Sequence, residues 1–254
     1  MVKKTYNRYY HKLLNNLDVS SSLGQDTDSF FNEIVFINFQ RIKVFVFIAI
    51  IIFFVMIFLD LIYMSAGKPD TSPGYDILFY SHISILLMLT MMALMFRFHP
   101  ADTIDDIRPV HQWLINTTLF LGLHNIACIS TGDVLINGSM AAFIGTIFAF
   151  ASIFLMTNLF SCILFLSSTA MMVILLITIS TLFDQSLGIQ IINSISFGVI
   201  ALILSRILYF YQIRDFKGRR IITKNASELK TKNEELQEAI GNIKTLSGLL
   251  PICS

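Results

Sequence analysis

The feature that most constrains this chain is a long run of residues without charge. Residues 134–183 include no Asp, Glu, Lys or Arg, and residues 185–205 are uncharged as well. The first run is too long for one transmembrane helix of about 20 residues and suits two. Only 14% of the chain is charged, against about 25% in soluble globular proteins. The sequence therefore predicts an all-α, polytopic membrane protein.

Six apolar segments result when the chain is divided at charges and turn residues. They are Val44–Met64, Ile77–Phe96, Trp113–Ser130, Ser139–Met156, Leu159–Phe183 and Gly188–Phe210. Three connectors, residues 65–76, 130–138 and 184–188, are predicted on one face of the membrane. A tight turn around Thr157 and Asn158 is the least marked boundary, because residues 140–183 can be divided in several ways.

The basic residues predict the orientation. All of them except Lys68 lie before the first segment, in the connector that holds Arg97 and Arg108, or from Arg206 onward. Positive charge collects on the cytoplasmic side of membrane proteins. An even number of spans places both termini on one face, so we expect both termini in the cytoplasm and the protein in the inner (plasma) membrane.

The chain after the last segment is polar, rich in helix formers, and patterned in sevens. One series is Ile222, Leu229, Leu236, Ile243 and Leu250; a second is Ala226, Asn233, Ile240 and Ser247. Alternating spacing of three and four is typical of a coiled coil, and Leu at d with a polar Asn at a favours a parallel dimer. The alternative is a solvated amphipathic helix that packs on nothing, or on the inner loops of its own chain. A helix continuous with a span and paired with a second copy is a geometry for signalling across a membrane.

The end of the chain resembles a linker of bacterial signal-transduction proteins. The residues that carry the resemblance are NEELQEAI at 233–240 and IKTLSGLLPICS at 243–254. In sensor kinases, PAS and receiver proteins and cyclases this linker follows an input domain and is continued by a four-cysteine module. Cys253 would be a zinc ligand in that module, but the chain stops one residue later. The resemblance implies the input half of a longer transducer, or a truncation of one.

A looser resemblance covers the six segments. Asn38, Arg41 and Asp60 bracket the first span as in the multi-span sensor modules that precede diguanylate cyclase, nucleotide cyclase and histidine kinase domains. The chain itself has no string typical of those catalytic domains, so we expect no catalysis from it.

These patterns divide the chain into four parts. Residues 1–43 are a cytoplasmic segment that ends in an interfacial helix or in an extension of the first span. Residues 44–213 are a six-helix transmembrane sensor domain, and residues 214–250 are a signalling coiled coil. Residues 251–254 begin a Cys-containing output linker.

Polar residues within the spans are the candidate functional site, because ionisable groups in a bilayer are expensive. Several fall at a similar depth near one end of their spans, where they could line a site for a small ligand or for protons. These residues are Asp60, Tyr63, Tyr80, His82, His124, Asn125 and Asn193. The alternative is that each pairs locally with backbone or reaches the interface.

The alternatives to a sensor are a transporter or channel, an intramembrane enzyme and a haem protein. A transporter or channel that oligomerises through its last helix would need a charged or broken helix near the midplane. An intramembrane enzyme would need a nucleophile and base, or metal ligands, at one depth. His82 and His124 could ligate haem, although no attachment motif accompanies them, and we expect no metal and no cofactor. The expected partners are the bilayer, a second copy and an output domain, with no nucleic acid.

Overall fold

The computed structural model describes residues 26–65, 73–183 and 187–249. This part of the chain is almost entirely helical and holds no strand, which confirms the predicted all-α class. A 3₁₀ turn, Ile104–Asp106, lies in the connector after the second helix. The six α-helices of the described residues are α1 Thr27–Ser65, α2 Pro73–Phe98, α3 Pro109–Asn137, α4 Ala141–Ile153, α5 Asn158–Phe183 and α6 Gly188–Leu249.

Five of these helices are long and apolar enough to cross a membrane, and α4, with 13 residues, is not. The apolar helices indicate a multi-pass membrane protein. The first predicted span and the segment before it form one helix, because α1 runs without interruption from Thr27.

Helix α3 is the central element of the bundle and packs against α1, α2, α4 and α5. Pro109 begins it, and Gly138 ends it with a φ of 68°, its N–H donating to the Val134 carbonyl. The predicted connector at residues 130–138 is therefore wrong up to Asn137, which is still helical. Hydrogen bonds within the helix explain this, because Thr131 Oγ1 donates to the Ala127 carbonyl and Asn137 Nδ2 to Asp133.

Two glycines bring the backbones of α2 and α3 together. A Cβ added to Gly132 would lie 2.9 Å from the Gly74 carbonyl oxygen and 3.1 Å from the Leu78 nitrogen. Such close approach of backbones through small residues is a common way for membrane helices to associate. The two glycines thus fix the packing of α2 on α3 near the end of the bundle where α1 also ends.

The first part of α6 packs against three helices. A Cβ at Gly198 would overlap the Thr169 hydroxyl of α5. Phe197 meets Phe148 of α4 edge to face at 5.8 Å, and Tyr209 meets Phe30 of α1 at 6.1 Å. These contacts hold the apolar part of α6 in the bundle.

Between α4 and α5 residues 154–157 are not helical, the backbone of Phe154 is extended, and all four residues are buried. We call this stretch the break segment. The sequence predicted a tight turn at Thr157 and Asn158, whereas α4 already ends at Ile153 and α5 begins at Asn158.

Residues from Phe210 onward form a second compact unit. Within it α6 continues to Leu249, and every described side chain from Arg219 to Ile243 is exposed. Ion pairs four residues apart, Lys224–Glu228 and Lys230–Glu234, lie along this part of the helix. Leu229, Asn233, Leu236, Ile240 and Ile243 are all exposed in the single chain. Leu250 and residues 251–254 lie outside the described residues.

Candidate functional site

A buried Asp–His pair joins α1 to α2. His82 Nδ1 lies 2.7 Å from Asp60 Oδ2, and His82 is 1% exposed. Asp60 is one turn before the end of α1, and its side chain retains 15% exposure. The structure thus brings together two of the residues that the sequence placed at one depth.

Aromatic rings flank the pair. The Phe53 ring lies 5.8 Å from the His82 ring, and the ring of Tyr63 stacks on Tyr75 of α2 at 4.8 Å. Tyr63 follows Asp60 by three residues and therefore shares its helix face. The predicted residue Tyr63 accordingly belongs to the same α1–α2 contact.

Asn125 connects the neighbouring helix. Its Oδ1 accepts a hydrogen bond from Ser84 Oγ of α2 at 3.1 Å, and its Nδ2 donates to the Leu121 carbonyl of its own helix. Ser84 lies two residues after His82, so the contact between α2 and α3 lies close along the chain to the Asp60–His82 pair.

Three predicted site residues do not join this group. His124 Nδ1 contacts the Phe120 carbonyl at 2.7 Å and its ring stacks on Phe120, so this histidine pairs locally. Tyr80 is 68% exposed, and the half-buried Asn193 makes no described hydrogen bond to the other six residues.

A second polar cluster surrounds the break segment and is built by side chains that bond to backbone. Asn38 Nδ2 donates to the Leu155 carbonyl at 2.7 Å, and Asn38 Oδ1 accepts from the Leu155 N–H at 3.0 Å. Arg41, one turn further along α1, donates to the Ile153 carbonyl. One face of α1 therefore supplies the hydrogen bonds that the unwound chain lacks.

Arg206 of α6 completes this cluster. Its Nη2 donates to the Met156 carbonyl at 3.0 Å and to the Thr157 carbonyl at 3.3 Å. Its guanidinium also lies 5.5 Å from the ring centre of Tyr209. Two helices far apart in sequence thus bond to the same short stretch of chain, α1 at Ile153 and Leu155 and α6 at Met156 and Thr157.

The sequence analysis treated Arg206 as a cytoplasmic charge and Asn38 and Arg41 as residues that flank the first span. It did not predict that all three bond to backbone at the end of α4 and in the break segment. A signal did exist, because Asn38 and Arg41 are polar residues three apart on a largely apolar helix. The partner could not be read from the pattern, since Leu155 is 117 residues away and its backbone carries the contact.

The connector between α2 and α3 is ordered by a carboxylate. Asp106 Oδ2 accepts hydrogen bonds from the side chain and the backbone N–H of Thr103 and from the Asp102 N–H. These hydrogen bonds, with those from Thr103 contributing most, hold the pKa of the exposed Asp106 below its usual value.

His111 is buried at the start of α3 against Phe39, and its Nδ1 accepts a hydrogen bond from the Arg108 N–H. This arrangement positions the start of α3.

Comparison with known proteins places no family on this chain: no family model, no curated protein and no solved structure matches it. Within the described residues, no group of three His, Cys, Asp or Glu side chains stands close enough to hold a metal ion. The arrangement supports proton exchange or ligand binding at Asp60 and His82, with the break segment as structural support.

Proposed function

We propose that the chain is a sensory input module of the inner membrane, which relays an external or membrane stimulus to an output domain. The output would be of the histidine kinase, diguanylate cyclase or nucleotide cyclase type and would follow Ser254. Both termini are cytoplasmic in this proposal, and two copies pair through residues 214–250.

The break segment supports six crossings. The 13 residues of α4 extend about 20 Å at 1.5 Å per residue. Four residues outside a helix add at most roughly 13 Å, so that α4 and the break segment together can reach across a hydrocarbon core of about 30 Å. Unwound backbone is tolerated at membrane depth only where it is buried and hydrogen-bonded. Asn38, Arg41 and Arg206 meet that condition.

The main observation in support of the relay is the continuity of α6. This helix contains both the uncharged residues 188–205 and the charged tail, and the tail exposes Leu229 at 68%, Leu236 at 58% and Ile243 at 65%. Apolar side chains repeating every seven residues on a helix that is solvated on all sides favour pairing with a second copy. The ion pairs Lys224–Glu228 and Lys230–Glu234 lie outside the a and d positions, so they do not occupy the seam of Leu229, Asn233, Leu236, Ile240 and Ile243.

The stimulus site in this proposal is the Asp60–His82 pair, with Tyr63 and Asn125 beside it. Breaking or protonating the pair would change how α1 and α2 pack, and a population shift of the helices would reach α6. Tyr80, His124 and Asn193 have lesser roles, since their side chains point elsewhere or pair locally.

A transporter or channel is the second candidate, and the break segment is the observation that favours it. Discontinuous helices of transporters lie near the midplane. Here the break segment contacts Asn38 and Arg41, just before the apolar stretch of α1, and Arg206, just after that of α6. Its place at the end of the apolar stretches favours the sensor.

Cysteine crosslinking in native membranes tests the proposed dimer. With the three native cysteines replaced by serine, Leu236→Cys should form interchain disulfides readily, because d residues of parallel helices face each other within disulfide distance. Glu235→Cys and Gln237→Cys are the matched controls and should crosslink about tenfold more slowly. Equal rates at all three positions would show random collision and would remove the dimeric coiled coil.

A further inference from the structure

A cavity of about 240 Å³ lies among α1, α2, α3 and α4. For comparison, an engineered apolar cavity of about 150 Å³ stays dry and binds benzene. The fourteen lining residues include no charged side chain and only two hydroxyls, those of Thr118 and Thr146. The volume and the lining suit a small, mostly hydrocarbon molecule.

The cavity is closed toward the bundle and open toward one side of α1. Leu119 and Phe150 in its wall are 1% and 2% exposed, whereas Ile48 and Ile52 are about half exposed. Ile52 lies near the middle of the apolar stretch Val44–Met64. In a bilayer this opening faces the hydrocarbon core, at a depth that an uncharged molecule dissolved in lipid reaches directly.

The two hydroxyls limit the polar groups of a ligand. Thr118 Oγ1 already donates to the Leu114 carbonyl at 2.7 Å, so it can only accept a further hydrogen bond. No described hydrogen bond involves Thr146, whose hydroxyl is therefore available to a ligand. The lining can therefore pair at most one or two polar groups on the ligand.

We propose that this cavity binds an uncharged, mostly hydrocarbon small molecule that enters from the bilayer. That this molecule is the stimulus rests on the proposed sensor function, whereas its binding to the cavity does not depend on that function. Phe53 provides the connection, because it lines the cavity and its ring lies 5.8 Å from His82. An occupant that displaces Phe53 presses on the Asp60–His82 pair.

Photolabelling of the full chain in phosphatidylcholine nanodiscs tests the assignment, with the diazirine 3-azioctanol as probe. We expect adducts on cavity-lining residues that excess octan-3-ol suppresses. Gly122→Leu should lower this labelling about tenfold, because Gly122 lines the cavity and a Cβ there only touches Phe150 at 3.5 Å. Gly145→Leu is the matched control and should label as the wild type does, because a Cβ at Gly145 meets nothing within 4 Å.

A second cavity-filling variant keeps the test valid if Gly122→Leu misfolds. Ala49→Leu fills the cavity from α1 and should lower labelling in the same way. Labelling spread over lipid-facing residues without competition, or unchanged labelling in both filled variants, would overturn the assignment. A tightly held phospholipid that excludes the probe would overturn it as well. If the cavity is not labelled while Leu236→Cys still crosslinks, the proposed ligand is wrong and the proposed dimer stands. If the cavity is labelled while Leu236→Cys does not crosslink, the ligand stands and the dimer is wrong.

Discussion

The two ends of the helix bundle use polar side chains in different ways. At the break segment, Asn38, Arg41 and Arg206 bond to backbone groups that would otherwise have no partner. At the other end, Asp60 and His82 bond to each other and complete no backbone. In the proposed six-span arrangement the first cluster completes the backbone of the fourth crossing, whereas the second joins two side chains only. We therefore propose a structural role for the first cluster and a role in responding to a stimulus for the second.

The largest expected effect is loss of Asn38. Asn38→Leu leaves the Leu155 N–H and carbonyl unpaired, and each unpaired buried group costs about 1–3 kcal/mol. We expect a matching loss in the free energy of unfolding, measured by SDS titration of the purified protein in mixed micelles. Asn193→Leu is the control and should change stability by less than about 1 kcal/mol. A small effect of Asn38→Leu would mean that the break segment is held by packing alone.

A smaller effect is expected at the Asp60–His82 pair. A double-mutant cycle of Asp60→Ala and His82→Ala should give a coupling of about 1.5–3 kcal/mol, typical of a hydrogen bond to a charged group. The same cycle with His124→Ala in place of His82→Ala should give less than about 0.5 kcal/mol, because His124 pairs within its own helix. Equal coupling in the two cycles would contradict a specific pair.

The sequence predicted the all-α class, because uncharged segments of about 20 residues suit transmembrane helices. It placed Asp60 and His82 at one level, because both lie near the ends of the two segments that residues 65–76 connect. It did not predict where α4 ends, because residues 139–156 hold no charged residue and no Pro, Asn or Asp stands near Ile153. The helical end of α3 was missed for the opposite reason. Residues 130–138 have the composition of a loop, while their hydrogen bonds and the contact of Gly132 with Gly74 are made only in the folded bundle. His124 was placed with His82 by depth alone, and depth does not fix the direction of a side chain.

The least disruptive test of the bundle concerns Gly132. Gly132→Ala places a methyl group against backbone atoms of Gly74 and Leu78, which cannot move without shifting α2. Overpacking of this kind costs about 1–3 kcal/mol, and we expect the lower part of that range in the same SDS titration. Gly145→Ala has open space around it and should leave stability unchanged or raise it slightly, since Ala favours a helix over Gly. An unchanged Gly132→Ala protein would show that α2 and α3 are not in close backbone contact.

The central claim is that the Asp60–His82 pair communicates with the tail of α6, and disulfide formation at Leu236→Cys measures this directly. In native membranes we expect His82→Ala to change the rate of this crosslink severalfold, while His124→Ala and Asn193→Leu leave it as it is. If His82→Ala folds stably and the rate at position 236 stays the same as in the parent, the pair does not report to the tail, and the relay is wrong.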